Sequence, residues 1–467
     1  MKHPKLAMAA ALISGLGVVI LLGTTVSDLT VGDEHLKPVE LTPELVNRGA
    51  HLARLGDCAA CHSVPGRPPF TGGLAMKIPI GTIYTTNITF DAKEGIGTYS
   101  LPDFDRALRF GVSHGHTLYP AMPYPSYSNL KPDDVQALYA YFKYSVNASA
   151  TPNVPNEVPF PLSLRFPLTM WRWAYAPEPH PFQAPESMDA QLANGAYFVE
   201  GLGHCGECHT PRGAGMQVEA QTPEEGADFL AGARVDNWYA PSLRSLNSQG
   251  TLGDWSEADL ASFLRSGANN NGIAFGSMSD VIEHSTQYMT QADAVDAAKF
   301  LKSLDPASTN QSFTYSNTTD HALKNGDASQ RGALIYLDNC AACHKPNGQG
   351  YDRVFPRLAG NPVIASSDPS SVISIVLAGS KTVWTDQTPA QFQMPSFAWR
   401  LSDQDVADVV SFLRSSWGNQ ASSVDATAVR ALRKAAVASD GINEPTSDGT
   451  LPGNFLPPAH AANVSTP

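Results

Sequence analysis

The sequence predicts a mainly α-helical chain of three tandem copies of one small domain, preceded by an apolar helix. Three observations predict it. All 6 cysteines fall into pairs, and each pair is C-x-x-C followed at once by His: CAACH at 58, CGECH at 205 and CAACH at 340. A glycine and a mostly apolar stretch precede each pair: Gly49 in NRGAHLARLGD, Gly195 in ANGAYFVEGLGH and Gly332 in SQRGALIYLDN. An amphipathic stretch closes each copy: KPDDVQALYAYFKY at 131–144, TQADAVDAAKFLKSL at 290–304 and LSDQDVADVVSFLRSSW at 401–417. Each closing stretch opens on an Asp-rich capping region and then places apolar residues at helical spacing.

The cysteine pairs carry the chemistry. A structural zinc site needs four protein ligands, usually two such pairs together, and does not require an adjacent His. A redox dithiol opens a helix within a βαβ unit, and no such pattern surrounds these pairs. Disulfide pairing would not place His after every pair. The C-x-x-C-H string reads as c-type haem attachment. Two thiols one helical turn apart bond the two vinyl groups of one porphyrin, and the next residue supplies the proximal imidazole. Cys58, Cys61, Cys205, Cys208, Cys340 and Cys343 are therefore expected to hold three covalent haem c groups, with His62, His209 and His344 as iron ligands. Each copy then reads as a class I cytochrome c domain.

The opposite axial face calls for Met or a second His. Of 10 methionines, Met122 (LYPAMPYPSY), Met278 (FGSMSDVIEH) and Met394 (QFQMPSF) stand between attachment motif and closing helix. Pro after Met122 and Met394 fixes an extended turn that presents the thioether. Met289 competes with Met278, and His114, His116 and His284 offer a bis-histidine alternative; Met76 and Met216 are poorer candidates. Tyr84, Asn87, Trp238, Arg244 and Arg357 stand where porphyrin edges or propionates could be met, or are ordinary packing residues. An Arg beside a propionate would be a charge-assisted pair.

Residues 83–111 parallel 238–267, so the first two copies match in their middles as well. A period above a hundred residues lets each copy bury its own core. The chain divides into a signal or anchor segment at 1–35, domain 1 at 36–150, a Pro-rich linker at 151–182, domain 2 at 183–305, a linker at 306–325, domain 3 at 326–420 and a polar tail at 421–467, read as poorly ordered or partner-bound.

The ordered set CAACH, GTIYTTNIT, GIGTY, LYPAMPYPSY, LYAYF, HCGECHTPR, a third CAACH and QMPSF resembles the triheme cytochrome c subunit of bacterial membrane-bound dehydrogenases, over residues 42 to 418. These accompany quinoprotein alcohol dehydrogenases, flavin-dependent gluconate, fructose or sorbitol dehydrogenases, and molybdopterin-dependent aldehyde dehydrogenases. The resemblance implies a catalytic partner of one of these types, with or without a small subunit, a periplasmic location, and delivery of electrons to ubiquinone in the membrane. It implies no substrate chemistry in this chain.

The termini and composition agree. Residues 6–26 are apolar and uncharged, follow Lys2 and Lys5, and precede Asp28, Asp33 and Glu34. That is a signal peptide or a positive-inside anchor, and the missing A-x-A site favours the anchor. A formal net charge of −13 argues against nucleic-acid binding. The stretch 151–182, with Trp171 and Trp173, is either a contact surface for membrane or partner or a linker packed on its neighbours. Two other functions stay open. A peroxidase-type enzyme would use His114, His116 or Glu283 over an open iron site, and a free-standing carrier would need no catalytic partner.

Overall fold

The computed structural model describes Leu36 and residues 40–235, 237–244, 253, 255–305, 313–388 and 390–439. These residues form two compact units. One holds residues 40–53 and 58–183, and the other holds 54–57 and 184–439.

In the first unit, α1 (Pro43–Leu55) leads into the short attachment helix α2 (Cys58–His62). The hairpin β1 (Ala75–Ile78) and β2 (Gly81–Tyr84) pairs Ala75 with Tyr84. Helix α3 (Leu101–Arg109) follows, then β3 (Val112–Ser113), β4 (His116–Thr117), α4 (Tyr124–Tyr127) and the closing helix α5 (Pro132–Tyr144). Helix α6 (Phe166–Tyr175) lies within the predicted linker and joins this unit, its Thr169 hydroxyl 3.0 Å from that of Thr117.

The second unit holds two further stretches, each running from a first helix through an attachment helix to a closing helix. Its first half has α7 (Ala190–Ala196), running on as a π-turn over Tyr197–Leu202, and the attachment helix α8 (Gly206–His209). Then come the hairpin β5 (Ala233–Val235) and β6 (Trp238–Ala240), α9 (Glu257–Ser266), α10 (Ser277–His284) and α11 (Gln291–Ser303). Its second half has α12 (Thr318–Lys324), α13 (Arg331–Asn339), the attachment helix α14 (Ala341–His344), α15 (Pro362–Ala365) and α16 (Ser370–Ala378). The pair β7 (Ser380–Lys381) and β8 (Gln393–Met394), the closing helix α17 (Asp403–Ser415) and α18 (Ala426–Ser439) complete it.

Local sequence explains these boundaries. Capping boxes start α3 (Ser100 with Asp103), α9 (Ser256 with Asp259), α11 (Thr290 with Asp293) and α17 (Ser402 with Asp405). In each, hydroxyl and carboxylate satisfy donors that the first helical turn leaves open. Helix α5 differs: Pro132 follows Lys131, which makes no side-chain cap.

The first and closing helices of each copy cross at Gly49, Gly195 and Gly332. A Cβ on Gly49 would lie 1.9 Å from the Ala137 carbonyl oxygen, on Gly195 2.1 Å from that of Asp296, and on Gly332 2.3 Å from that of Asp408. An aromatic side chain packs over each crossing: Tyr141, Phe300 and Phe412. The residue before each glycine also reaches the closing helix. Arg48 Nε donates to Asp134 (2.8 Å), Asn194 to Asp296 (3.1 Å) and Arg331 Nε to Asp405 (2.9 Å).

The structure departs from two of the expected boundaries. The tail at 421–467 is ordered in its first part, because α18 packs on α16 and α17. Val429 is fully buried there, and Arg433 donates to Asp403 and to the Ala398 and Leu401 carbonyls. The 306–325 linker is shorter than expected, because Leu323 of α12 belongs to the core of the last copy. The Pro-rich linker contains α6, which packs on its own unit while Phe160, Leu162, Leu164, Met170, Trp173 and Tyr175 stay exposed. Among the described residues no helix is long and apolar enough to cross a membrane. The apolar helix expected at residues 6–26 lies outside the described residues, as does the tail beyond 439.

Candidate haem centres

Each C-x-x-C-H forms one short helix at the end of a longer one, so its two sulfurs sit one turn apart. Cys205 and Cys340 are pushed up to about 12, first by burial and then by the neighbouring thiol of the pair. A redox dithiol works with a lowered pKa, and burial moves these two thiols the other way. Among the described residues no group of three or more His, Cys, Asp or Glu converges on a metal position, as a zinc site would require.

The histidines share one geometry. His62 Nδ1 lies 2.7 Å from the Thr86 carbonyl, His209 Nδ1 2.7 Å from that of Pro241, and His344 Nδ1 2.9 Å from that of Pro356. A carbonyl oxygen has no proton, so Nδ1 is the donor and Nε2 keeps its lone pair for a metal. Burial lowers all three imidazole pKa values, that of His209 to about 4, and so favours the neutral form that ligates. A second contact fixes each turn. The His62 carbonyl accepts from Gly72 (2.7 Å), that of His209 from Gly232 (2.7 Å) and that of His344 from Gly350 (3.1 Å). Three oriented imidazoles behind three thiol pairs are the donor set that haem c requires.

The methionines differ in burial. Met122 is half-buried in the turn between β4 and α4, where its amide donates to Tyr119 and its carbonyl accepts from Tyr124. Met278 is half-buried at the start of α10 and packs against the small cluster that Ala274, Ile282 and Val383 form. Met394 is half-buried in β8, opposite Ser380. The competitor Met289 is 2% exposed and enclosed by protein. His114 and His116 are exposed at the β3–β4 hairpin turn, and His284 is half-buried at the end of α10.

Of the residues named as haem contacts, two are backbone clamps. Asn87 is 2% exposed and donates to the Ser149 and Thr151 carbonyls while accepting from Thr89. Arg244 is 5% exposed and donates to the Asp305, Phe229 and Gly226 carbonyls. Tyr84 and Arg357 are half-buried. Trp238 is brought to the Met278 segment. Its ring would lie 2.9 Å from a Cβ on Gly276 and stands 5.6 Å from Phe275. Sequence reading missed Thr86, Pro241 and Pro356, because a carbonyl acceptor has no side-chain signature.

Comparison with known proteins agrees with this chemistry. The family model described as cytochrome c matches residues 329–417. The chain is 50% identical over 396 residues to the gluconate 2-dehydrogenase cytochrome c subunit of Pantoea cypripedii, covering 84% of this chain and 90% of the relative. It is 46% identical over 420 residues to the cytochrome c subunit of a quinone alcohol dehydrogenase from Gluconacetobacter polyoxogenes, covering 88% and 89%. It is 34% identical over 440 residues to the fructose dehydrogenase cytochrome subunit of Gluconobacter japonicus, covering 88% of each chain. This chain belongs to the family of dehydrogenase cytochrome c subunits, which transfer electrons and leave substrate chemistry to a catalytic partner.

Proposed function

We propose that this chain carries three covalent haems in three tandem class I cytochrome c domains and passes electrons from a membrane-bound dehydrogenase subunit to ubiquinone. The observation that carries the reading is the threefold recurrence of one donor set: two cysteines, a histidine fixed through Nδ1, and a half-buried methionine in the following loop. Cys58, Cys61 and His62 with Met122 form the first set, Cys205, Cys208 and His209 with Met278 the second, and Cys340, Cys343 and His344 with Met394 the third. Haem c, when bound, supplies a one-electron ferric–ferrous couple. The chain's own residues hold it by thioether, orient one imidazole through a backbone carbonyl, and offer a thioether whose soft sulfur favours the ferrous state.

The partner is a catalytic subunit of the gluconate, alcohol or fructose dehydrogenase kind, since those are the enzymes that the relatives serve. The working site is the periplasmic side of the inner membrane, with residues 6–26 as anchor. The test is a haem count on the purified chain. Three haems per polypeptide, falling to two when any one cysteine pair is replaced by alanine, is the expected result. A count that does not change with one of the pairs removes that motif from the reading. Purification from native membranes in mild detergent should bring down a dehydrogenase, whose cofactor then names the substrate class.

A further inference from the structure

The hairpin segment that carries Met394 also reaches into the preceding repeat. It runs from Ser380 to Met394, strands β7 and β8 pair at its base, and Ser380 lies opposite Met394. Farther along, Val383 is 3% exposed and completes a small apolar cluster with Ala274 and Ile282 of the middle copy, against which Met278 and Phe263 pack. Room for Val383 is made by Gly267, the left-handed C-cap of α9 (φ 72°). A Cβ on Gly267 would stand 3.0 Å from Val383 Cγ2. Polar contacts join the two copies around the segment. Thr388 donates to the Ser266 carbonyl at 3.3 Å. Arg353 donates to the Ser262 and Ser266 hydroxyls at 3.0 and 3.2 Å. On the far side, Tyr239 of β6 exchanges bonds with the Ser371 hydroxyl, and the Ser374 hydroxyl donates to the Asn237 carbonyl.

We propose that Val383, a residue of the third repeat, is a positioning residue for the axial thioether of the second. This rests on the assignment of Met278 as that thioether. The physical basis is packing. Met has three rotatable bonds and adapts to whatever surrounds it. Its sulfur holds one position only if its neighbours are rigid. Val383 has a branched, stiff χ1 and is locked between Gly267 and Ile282. The same segment therefore presents its own methionine at one end and braces its neighbour's along its length.

The test is a redox titration of the intact, haem-loaded chain with spectra resolved for each haem, comparing Val383→Ala, Val383→Ile and Met278→His. Val383→Ala is expected to shift the midpoint potential of one haem and to weaken its ferric methionine–iron charge-transfer band. Met278→His is expected to move the potential of that same haem and abolish the band. Val383→Ile, which overfills the cluster and keeps it apolar, is expected to affect the same haem should the alanine variant fold poorly. The proposal is overturned if both Val383 variants leave every potential unchanged, or change only the haem that Met394→His changes. If Met278→His itself leaves every haem unchanged, the ligand assignment falls and takes this inference with it. An effect of Met278→His without one of either Val383 variant removes only Val383.

Discussion

Single residues decide the helix crossings and one titration. Gly332→Val would push a branched side chain into the Asp408 carbonyl, already 2.3 Å from a single Cβ. Overpacking of this kind costs about 3 kcal/mol, read as a fall in the urea midpoint and in haem retention. Glu200, 9% exposed, is raised to about 8 by burial, with Glu224 and Glu225 adding like-charge repulsion. The sign follows from linkage. The folded chain holds this proton while the unfolded chain has released it, so the contribution is full below the ordinary carboxylate pKa and is lost as pH rises towards 8. Glu200→Gln should therefore flatten the decline in stability across that interval. The gain at its alkaline end is roughly 2–5 kcal/mol, measured by urea denaturation at a series of pH values.

At the scale of elements, the closing helices were legible because they combine a capping signal with 3.6-residue periodicity. The stretches read at 131–144, 290–304 and 401–417 appear as Pro132–Tyr144, Gln291–Ser303 and Asp403–Ser415. The crossing glycines were legible because each recurs at one place in the repeat. Helix α18 was missed, because its alanine-rich stretch follows the last closing helix, outside the repeat, and buries Val429 and the Arg433 contacts only once α16 and α17 exist. A chain ending at residue 424 is expected to lose about 3 kcal/mol, from buried valine and charge-assisted bonds together, measured by thermal or urea unfolding. Asn87 and Arg244 looked like haem contacts because polar residues in a loop can face either inward or outward. The backbone carbonyls that claim them lie 61 to 64 residues away at their farthest, beyond the reach of local pattern.

For the whole molecule, three repeats in sequence become two compact units, and the second and third copies share one of them. Their contacts include the Arg234–Asp368 ion pair, the serine bonds to β6 and the Val383 cluster. The ion pair is half-exposed and worth under about 1 kcal/mol, so packing and serine bonds do most of the holding. Val410→Ala, at a fully buried position of α17, should cost about 2 kcal/mol. Hydrogen exchange in the intact chain should then quicken in α9 and α11 as well as in α17. Acceleration confined to α17 would mean that the two copies open separately. The three histidines carry a different consequence for the molecule. Thr86, Pro241 and Pro356 offer each imidazole the same neutral oxygen at nearly the same distance. None of these acceptors is a carboxylate, which would draw the Nδ1 proton and make the ring a stronger electron donor. The proximal contact is thus the same three times over, and it sets no difference among the three histidines.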